Sequence, residues 1–282
     1  MTGPTPDLLP LFQTLVEIVA SLRGPNGCPW DREQTQGSLT QYAIEEAFEL
    51  VEAIESGRQP DVQEELGDFL FQVVLQAQVA EDDGHFRLAD VIRQLNEKMR
   101  RRHPHVFGDV QLANTEAVWK NWDQIKKQEK AQKSGGGPPS LFSYPRSLPA
   151  LQASAKIGRK TESWKFDWKT PEQVLEKVRE EFGETEQALR EFREKHPTAG
   201  LTPLDPGRED LVHEIGDLLF STAQFARHLG LDPEACLREA NRRFKNRFQG
   251  VVTLSGLEKD EFATLPDAQK EDLWRQIKKD EK

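Results

Sequence analysis

ELGDFLF, residues 65–71, opens the most apolar stretch of the sequence, and EIGDLLF, residues 214–220, repeats it in the second half of the chain. Apolar residues then recur three and four positions apart, at 66, 69, 70, 73, 74 and 77 and again at 215, 218, 219, 222, 223 and 226. This spacing predicts an amphipathic α-helix in each half. We expect both apolar stripes to face a core, with acidic residues at the N-terminal end of each stripe.

Three further blocks of sequence also occur twice, in the same order. EEAFE (45–49) pairs with EEFGE (180–184), LNEKMRRRHPHVF (95–107) with EANRRFKNRF (239–248), and WDQIKKQEK from position 122 with WRQIKKDEK from position 274. Four matching blocks in register predict two copies of one domain. We place these copies at residues 1–133 and 146–282, with a linker at 134–145 whose glycines and prolines do not continue a helix.

The composition and the sequence pattern limit the possible fold classes and binding partners. No alternating apolar pattern bounded by turn residues occurs, so the predicted fold is all-α, two tandem helical bundles. Acidic residues outnumber basic ones by 48 to 38, a net charge of −10, which disfavours nucleic acid and anionic membrane surfaces as partners. The longest stretches without charge have 12 residues, below the roughly 20 that span a bilayer. With no signal-peptide pattern and only two cysteines, we expect a cytoplasmic protein.

Each copy carries acidic residues spaced three apart, which lie on one face of a helix. These pairs are Glu46 with Glu49, Glu65 with Asp68, Glu181 with Glu184, and Glu214 with Asp217. If the two helices of a copy pack antiparallel, four carboxylates meet at the edge of its core. Such a cluster is costly without a counter-ion, because like charges repel and burial penalises each charge. The pattern therefore predicts a bound cation.

The oxygen-only ligand set indicates which cation. It suits Mg²⁺, Mn²⁺ or Ca²⁺ and argues against zinc, which prefers Cys and His. Di-iron bundle proteins pair Glu with a His three residues later, and this chain has no Glu-x-x-His. Mg²⁺ is favoured, with Mn²⁺ as a substitute, because Mg²⁺ uses few carboxylates and completes its shell with water and substrate phosphate. A substrate that bears phosphate follows.

The chain resembles a tandem-domain member of the MazG family of nucleoside triphosphate pyrophosphohydrolases. The resemblance covers essentially the whole sequence, through the two Glu-Glu-x-x-Glu and Glu-x-x-Asp sets and the words NGCPWD (26–31), RRHPHVF (101–107), PRSLPAL (145–151) and FDW (166–168). It implies an all-α fold shared with dimeric dUTPases, Mg²⁺ dependence, a homodimer, and hydrolysis of a nucleoside triphosphate to the monophosphate and diphosphate. We expect little base preference and a role in nucleotide-pool control.

The resemblance also implies roles for individual residues. Glu181, Glu184, Glu214 and Asp217 match the metal ligands of the family, and four further residues fall where members contact the nucleotide: Lys177, Arg243, Arg247 and Trp274. The residue types suit those roles. Lys177 precedes Glu181 by one helical turn, the two arginines share a helix face and can offer forked donors to phosphate, and the indole can stack on a base.

The first copy departs from this pattern at one position. Aligning Glu46 with Glu181 places Tyr42 opposite Lys177, which removes a cation from the expected phosphate site. Lys98, Arg102 and Trp122 do match the second copy's arginines and tryptophan. We therefore expect the second copy to be the better catalyst, and the first to bind metal with weaker or different turnover.

The expected reaction is attack of water on the α-phosphorus, with diphosphate leaving. Mg²⁺ would acidify the water and neutralise the leaving group, and Glu180 or the ligand Glu181 would accept the proton. Two alternatives remain open at this point. A nucleotide-sensing regulator would bind without turnover, and a structural helical dimer would keep its properties after loss of the carboxylates.

Overall fold

The computed structural model describes residues 7–133, 141–142, 144–196 and 208–280. Every regular element in these ranges is a helix, so the all-α prediction is confirmed for them. The chain divides into two compact units, residues 1–139 and 140–282. Most of the predicted linker, 134–140 and 143, lies outside the described residues. Within the described ranges, no helix has the length and apolar character needed to cross a bilayer.

The N-terminal unit is built around a helical hairpin. Its helices are α1 (Leu8–Arg23), α2 (Pro29–Glu33), α3 (Thr40–Ser56), α4 (Gln59–Asp82), α5 (Leu88–Arg102), α6 (Pro104–Phe107) and α7 (Thr115–Lys133). Gly57, at φ 73°, ends α3 in the left-handed conformation that glycine adopts without a steric penalty, and Pro60 lies in the first turn of α4. This two-residue connection turns the chain back sharply, so α3 and α4 pack antiparallel.

The C-terminal unit repeats this arrangement. Its helices are α8 (Ala150–Glu162), α9 (Pro171–Lys195), α10 (Glu209–His228), α11 (Pro233–Ser255), α12 (Lys259–Thr264) and α13 (Asp267–Asp280). Helices α9 and α10 form the main pair, and α8 packs against α10. The two acidic motifs of each copy therefore lie on paired helices, α3 with α4 and α9 with α10.

The predicted apolar stripe of α4 faces the core only in part. Val74 and Ala77 are buried, together with Leu75, which lies in a cluster with Val19, Leu39 and Val79. The prediction is wrong for positions 66, 69, 70 and 73, which are exposed, and in α10 for positions 215, 219 and 222. The physical reason is that the stripe is wider than one packing face. The helices packed on α4 cover the face that contains positions 74 and 75. They leave the adjoining face, with positions 66, 69, 70 and 73, exposed to solvent.

Leu75 supplies a test of this core. Leu75→Ala removes a fully buried side chain and leaves a cavity, so we expect the N-terminal unit to lose about 2–5 kcal/mol of unfolding free energy. Leu9→Ala is the matched control, because Leu9 is 74% exposed in the same unit and its loss should cost no more than about 0.5 kcal/mol. Urea unfolding followed by helical circular dichroism measures both. Equal losses would contradict the assigned core.

Candidate active site

Three carboxylates of the C-terminal unit converge between α9 and α10. One oxygen from each of Glu181, Glu184 and Glu214 lies within 4.8 Å of the others, and we call this group the C-terminal cluster. Glu181 is 5% exposed, Glu214 is half-buried and Glu184 is exposed, so the group runs from the helix interface out to solvent. The spacing on α9 puts two members on one face, and antiparallel packing brings the third across from α10.

Lys177 is the positive charge of this site. Its Nζ lies 2.8 Å from Glu181 Oε1 and 2.8 Å from Glu180 Oε1. Hydrogen bonds to Glu180 and Glu181 raise the pKa of Lys177, so the ammonium stays charged at any working pH. The lysine precedes these residues by three and four positions, and the helix alone brings the three side chains together.

The N-terminal unit carries an equivalent group between α3 and α4. Oxygens of Glu46, Glu49 and Glu65 lie within 4.8 Å of one another, and we call them the N-terminal cluster. Gln72 hydrogen-bonds Glu46, yet its Oε1 is buried without a hydrogen-bond partner. Asp68 is close enough for its charge to raise the pKa of Glu46 and Glu65.

Both clusters are electrostatically crowded. Burial, and then the charges of Asp68 and Glu49, raise the pKa of Glu46; burial and neighbouring carboxylates likewise raise the pKa of Glu65. In the C-terminal unit, burial and the charge of Glu181 raise the pKa of Glu184, while Lys177 opposes the rise. Each shift means that the folded state disfavours the ionised carboxylate. A cation would reverse that balance.

The donor chemistry fits a hard divalent ion. Each cluster offers carboxylate oxygens at mutual distances that one ion can bridge, and the buried Gln72 Oε1 adds a carbonyl oxygen without a partner beside the N-terminal cluster. Neither cluster includes His or Cys. Oxygen donors of this kind suit Mg²⁺ or Mn²⁺ better than zinc.

The two aspartates predicted as ligands lie beside the clusters rather than within the 4.8 Å groups. Asp217 follows Glu214 by one turn of α10, and its Oδ2 lies 3.4 Å from Nε2 of His213. Asp68 has the same relation to Glu65 on α4. Because residues three apart share a helix face, both aspartates flank the carboxylate clusters.

Three predicted nucleotide contacts of the second copy lie on α11 and α13. Arg243 is exposed, and its Nη1 lies 3.3 Å from Glu239 Oε1 on the same helix. Arg247 is half-buried one turn further along. Trp274 packs against Phe244, with ring centroids 5.3 Å apart. The indole is thus already in contact with an aromatic side chain of its own unit.

Their counterparts in the first copy are engaged in the fold. Glu129 on α7 accepts hydrogen bonds from Arg102 at 2.5 Å and from Arg101 at 2.6 Å, which lower the pKa of Glu129 to about 2. Lys98 is half-buried one turn before Arg102 on α5. The guanidinium predicted to meet phosphate is therefore neutralised by a carboxylate of its own unit.

Trp122, the first copy's predicted base contact, is similarly surrounded. Its ring lies edge-on to His103 at 5.3 Å and to Trp119 at 5.9 Å, and Lys126 Nζ lies 4.7 Å from the ring centroid. Its Nε1 is buried without a hydrogen-bond partner. These contacts occupy ring surface that a base would need.

Tyr42 differs from Lys177 in its surroundings as well as in its charge. Its ring lies edge-on to Trp30 at 5.6 Å, and its side chain packs against the N-terminal core. Alignment of the two copies predicts this substitution. In the structure, the Tyr42 ring packs against apolar neighbours and places no positive charge beside the carboxylates.

A cavity of about 490 Å³ in the C-terminal unit was not predicted from the sequence. It lies between α8, the segment 165–169, the start of α9 and the second half of α10. Two residues of its wall, Asp167 and Gln224, are held by Arg227. The Arg227 side chain is 7% exposed and donates to Asp167 at 2.7 Å and to Gln224 at 2.8 Å. In the sequence, FDW (166–168) stands out only through its resemblance to the family, and the Asp167–Arg227 pair joins residues 60 positions apart, which no local pattern indicates.

The raised pKa values lead to a stability prediction. Burial and neighbouring carboxylates raise the pKa of Glu65 in the folded state, so ionisation of this carboxyl destabilises the fold as pH rises above its ordinary pKa of 4.5. Glu65→Gln should therefore raise the melting temperature in EDTA at pH 7. Millimolar Mg²⁺ should stabilise the wild type more than the variant, and both effects should fade below pH 4.5, where the carboxyls are protonated. Thermal unfolding with and without Mg²⁺ measures this.

Glu81→Gln is the matched control for that experiment, since Glu81 is exposed at the far end of the same helix. It should change neither the melting temperature in EDTA nor the response to Mg²⁺. A destabilised Glu65→Gln protein that still responds fully to Mg²⁺ would rule out the N-terminal cluster as a cation site.

Comparison with known proteins places these features in a family. The MazG nucleotide pyrophosphohydrolase domain matches residues 34–107, and the phosphoribosyl-ATP pyrophosphohydrolase domain matches residues 153–244. A Thermotoga maritima protein named nucleoside triphosphate pyrophosphohydrolase/pyrophosphatase MazG is 42% identical over 95% of this chain and 96% of its own length. The Escherichia coli K12 nucleoside triphosphate pyrophosphohydrolase is 39% identical over 95% of this chain and 97% of its own length. The chain therefore belongs to the MazG nucleotide pyrophosphohydrolase family.

Proposed function

We propose that this protein hydrolyses nucleoside triphosphates to the monophosphate and diphosphate, with Mg²⁺ as its metal. The C-terminal cluster carries the proposal, because it joins three carboxylates within 4.8 Å to a lysine 2.8 Å from one of them. This arrangement presents candidate metal ligands and a cation at the junction of α9 and α10. The names of the Thermotoga and Escherichia relatives give the same reaction class.

The C-terminal cluster would hold the metal, with Asp217 one turn away on α10 as a further ligand. When bound, Mg²⁺ or Mn²⁺ supplies an acidified water and charge neutralisation on the triphosphate. The protein's own part is to fix these donors on two packed helices. The Lys177 ammonium adds a second positive charge beside the cluster. It binds phosphate oxygens and orients the triphosphate.

The proton of the attacking water needs an acceptor near the cluster. In the reaction, a bond forms between the water oxygen and the α-phosphorus, the bond from that phosphorus to the bridging oxygen breaks, and diphosphate leaves with the electron pair. Glu180 is exposed and lies outside the 4.8 Å group, so it can take up a proton while the cluster holds the metal. Lys177 holds Glu180 at 2.8 Å and keeps its carboxylate beside the site.

The two copies divide the work unequally in this proposal. The C-terminal copy has Lys177 over its carboxylates, whereas the N-terminal copy has Tyr42 turned towards Trp30. We assign most turnover to the C-terminal copy, and metal binding with weak turnover to the other.

The exposed apolar face supports a homodimer. Leu66, Leu70 and Val73 of α4, and Ile215 and Leu219 of α10, are each between 41% and 53% exposed beside the acidic motifs. Contiguous apolar surface of this kind on a protein is typical of an interface with another chain. A second copy of this chain would bury these faces.

The products of the proposed reaction, monophosphate and diphosphate, suit a role in nucleotide-pool control.

Product analysis, together with matched substitutions in the two clusters, tests the reaction. Glu181→Gln should lower kcat at least about 100-fold, more than loss of an outer-shell partner usually does, because it removes a buried ligand. Glu46→Gln, the same change in the N-terminal cluster, should keep most activity. Chromatography of nucleotide and phosphate products with Mg²⁺ or EDTA measures both. Nucleoside diphosphate and orthophosphate as products would exclude attack at the α-phosphorus.

Lys177 has a distinct kinetic signature. Lys177→Met should lower kcat/KM about 100-fold, because the substrate phosphates lose a positive charge beside Glu181. Lys195→Met, at the exposed end of the same helix, is the control and should leave kcat/KM unchanged. An unchanged kcat/KM in Lys177→Met would remove the lysine from the catalytic site.

A further inference from the structure

Gln72 is a buried polar residue at the inner end of the acidic face of α4. It follows Glu65 by seven residues and Asp68 by four, a spacing that puts the three side chains on one face of the helix. Gln72 is 7% exposed, whereas Glu65 is half-buried and Asp68 is exposed. The acidic face therefore ends in the protein interior on an amide rather than on an apolar side chain.

Only one end of this amide has a partner within the described part of the chain. Its N–H donates to Glu46 of α3, because an ionised carboxylate only accepts hydrogen bonds. Its Oε1 is buried without a hydrogen-bond partner. Leaving a buried carbonyl oxygen without a donor destabilises the fold, so a ligand that binds Gln72 Oε1 offsets this cost.

The groups around Gln72 Oε1 indicate a cation as that ligand. Oε1 and the donating N–H belong to one planar amide, so Oε1 lies beside the Glu46 carboxylate of the N-terminal cluster. Ionised carboxylates supply no hydrogen-bond donor to it. A divalent cation binds carboxylate and amide oxygens alike, and Mg²⁺ keeps several waters that donate hydrogen bonds. One hydrated ion thus satisfies both the carboxylates and the amide oxygen.

The second copy places a different group against its buried glutamate. Aligning the two acidic motifs puts Ser221 opposite Gln72, so this amide is missing there. Lys177 instead contacts Glu181, with Nζ 2.8 Å from Oε1. The lysine ammonium repels an incoming cation until a triphosphate draws it to phosphate oxygens, whereas the amide of the first copy carries no charge.

We propose that the N-terminal cluster is a resident divalent-cation site that fills without nucleotide, and that Gln72 positions Glu46 and binds the hydrated ion through Oε1. The C-terminal cluster takes up its ion together with the triphosphate. The inference rests on the proposed function for the identity of the ion, and it goes further by assigning the order in which the two clusters fill. Gln72 acts on the bound ion and on Glu46, so it is a positioning residue.

Binding of Mn²⁺ to the full-length chain without nucleotide tests this proposal. Electron paramagnetic resonance of free Mn²⁺ gives Kd and the number of sites, and circular dichroism checks the fold. Gln72→Met removes the amide and keeps the length of the side chain, whereas Gln72→Glu keeps an oxygen at the same position. Gln78→Met is the matched control, because Gln78 lies on the same helix and donates to Asp82 at 2.9 Å.

We expect one tight Mn²⁺ site in the wild-type chain, which Glu46→Gln abolishes and Glu181→Gln retains. Gln72→Met should weaken this site by about 10- to 100-fold, the usual effect of losing a partner that orients a metal ligand. Gln72→Glu should keep wild-type affinity, since a carboxylate oxygen suits the ion as well as an amide oxygen does. Gln78→Met should leave the affinity unchanged.

Three results would overturn the proposal: loss of the tight site in Glu181→Gln, unchanged affinity in Gln72→Met, or equal losses in Gln72→Met and Gln72→Glu. The two glutamate variants decide the order of filling even if Gln72→Met does not fold. Product analysis of the wild type is independent. Formation of monophosphate and diphosphate would leave the proposed function intact if the Mn²⁺ experiment failed, and orthophosphate as a product would contradict that function without affecting the cation site.

Discussion

Mutual repulsion among carboxylates on two antiparallel helices is the constraint on which the rest of each unit depends. Helix packing brings three acidic side chains within 4.8 Å in each unit, and the raised pKa values of Glu46, Glu65 and Glu184 reflect charge that the neighbouring side chains do not fully compensate. Packing of the paired helices holds these side chains together against that repulsion, and in the N-terminal unit the short connection at Gly57 adds to it. The folded state thereby keeps like charges closer together than they would lie in an unfolded chain.

The two copies resolve this constraint differently with the same backbone plan. The C-terminal copy places Lys177 among its carboxylates, whereas the N-terminal copy has Tyr42 at the matching position, packed against its apolar core. Duplication thus preserves the scaffold while one substitution changes the charge beside the carboxylates.

Much of the fold and part of the site could be predicted from the sequence. Helical spacing indicated the helices, and the repeated motifs identified the glutamates that meet across each helix pair, because residues three apart necessarily share a face. Which half of the α4 stripe is buried depends on the neighbours packed against it, and Leu66 and Val74 look alike in sequence. The cavity depends on contacts such as Asp167 with Arg227, and a pairing between residues 60 positions apart leaves no periodic signal.

The lysine of the second copy also bears on how each half opens locally. Its ammonium lies 2.8 Å from Glu181 and offsets part of the repulsion among the C-terminal carboxylates. The N-terminal half has Tyr42 at that position, so its carboxylates repel one another without this charge. Amides along α3 and α4 should therefore exchange with solvent sooner than those along α9 and α10 once the carboxyls ionise.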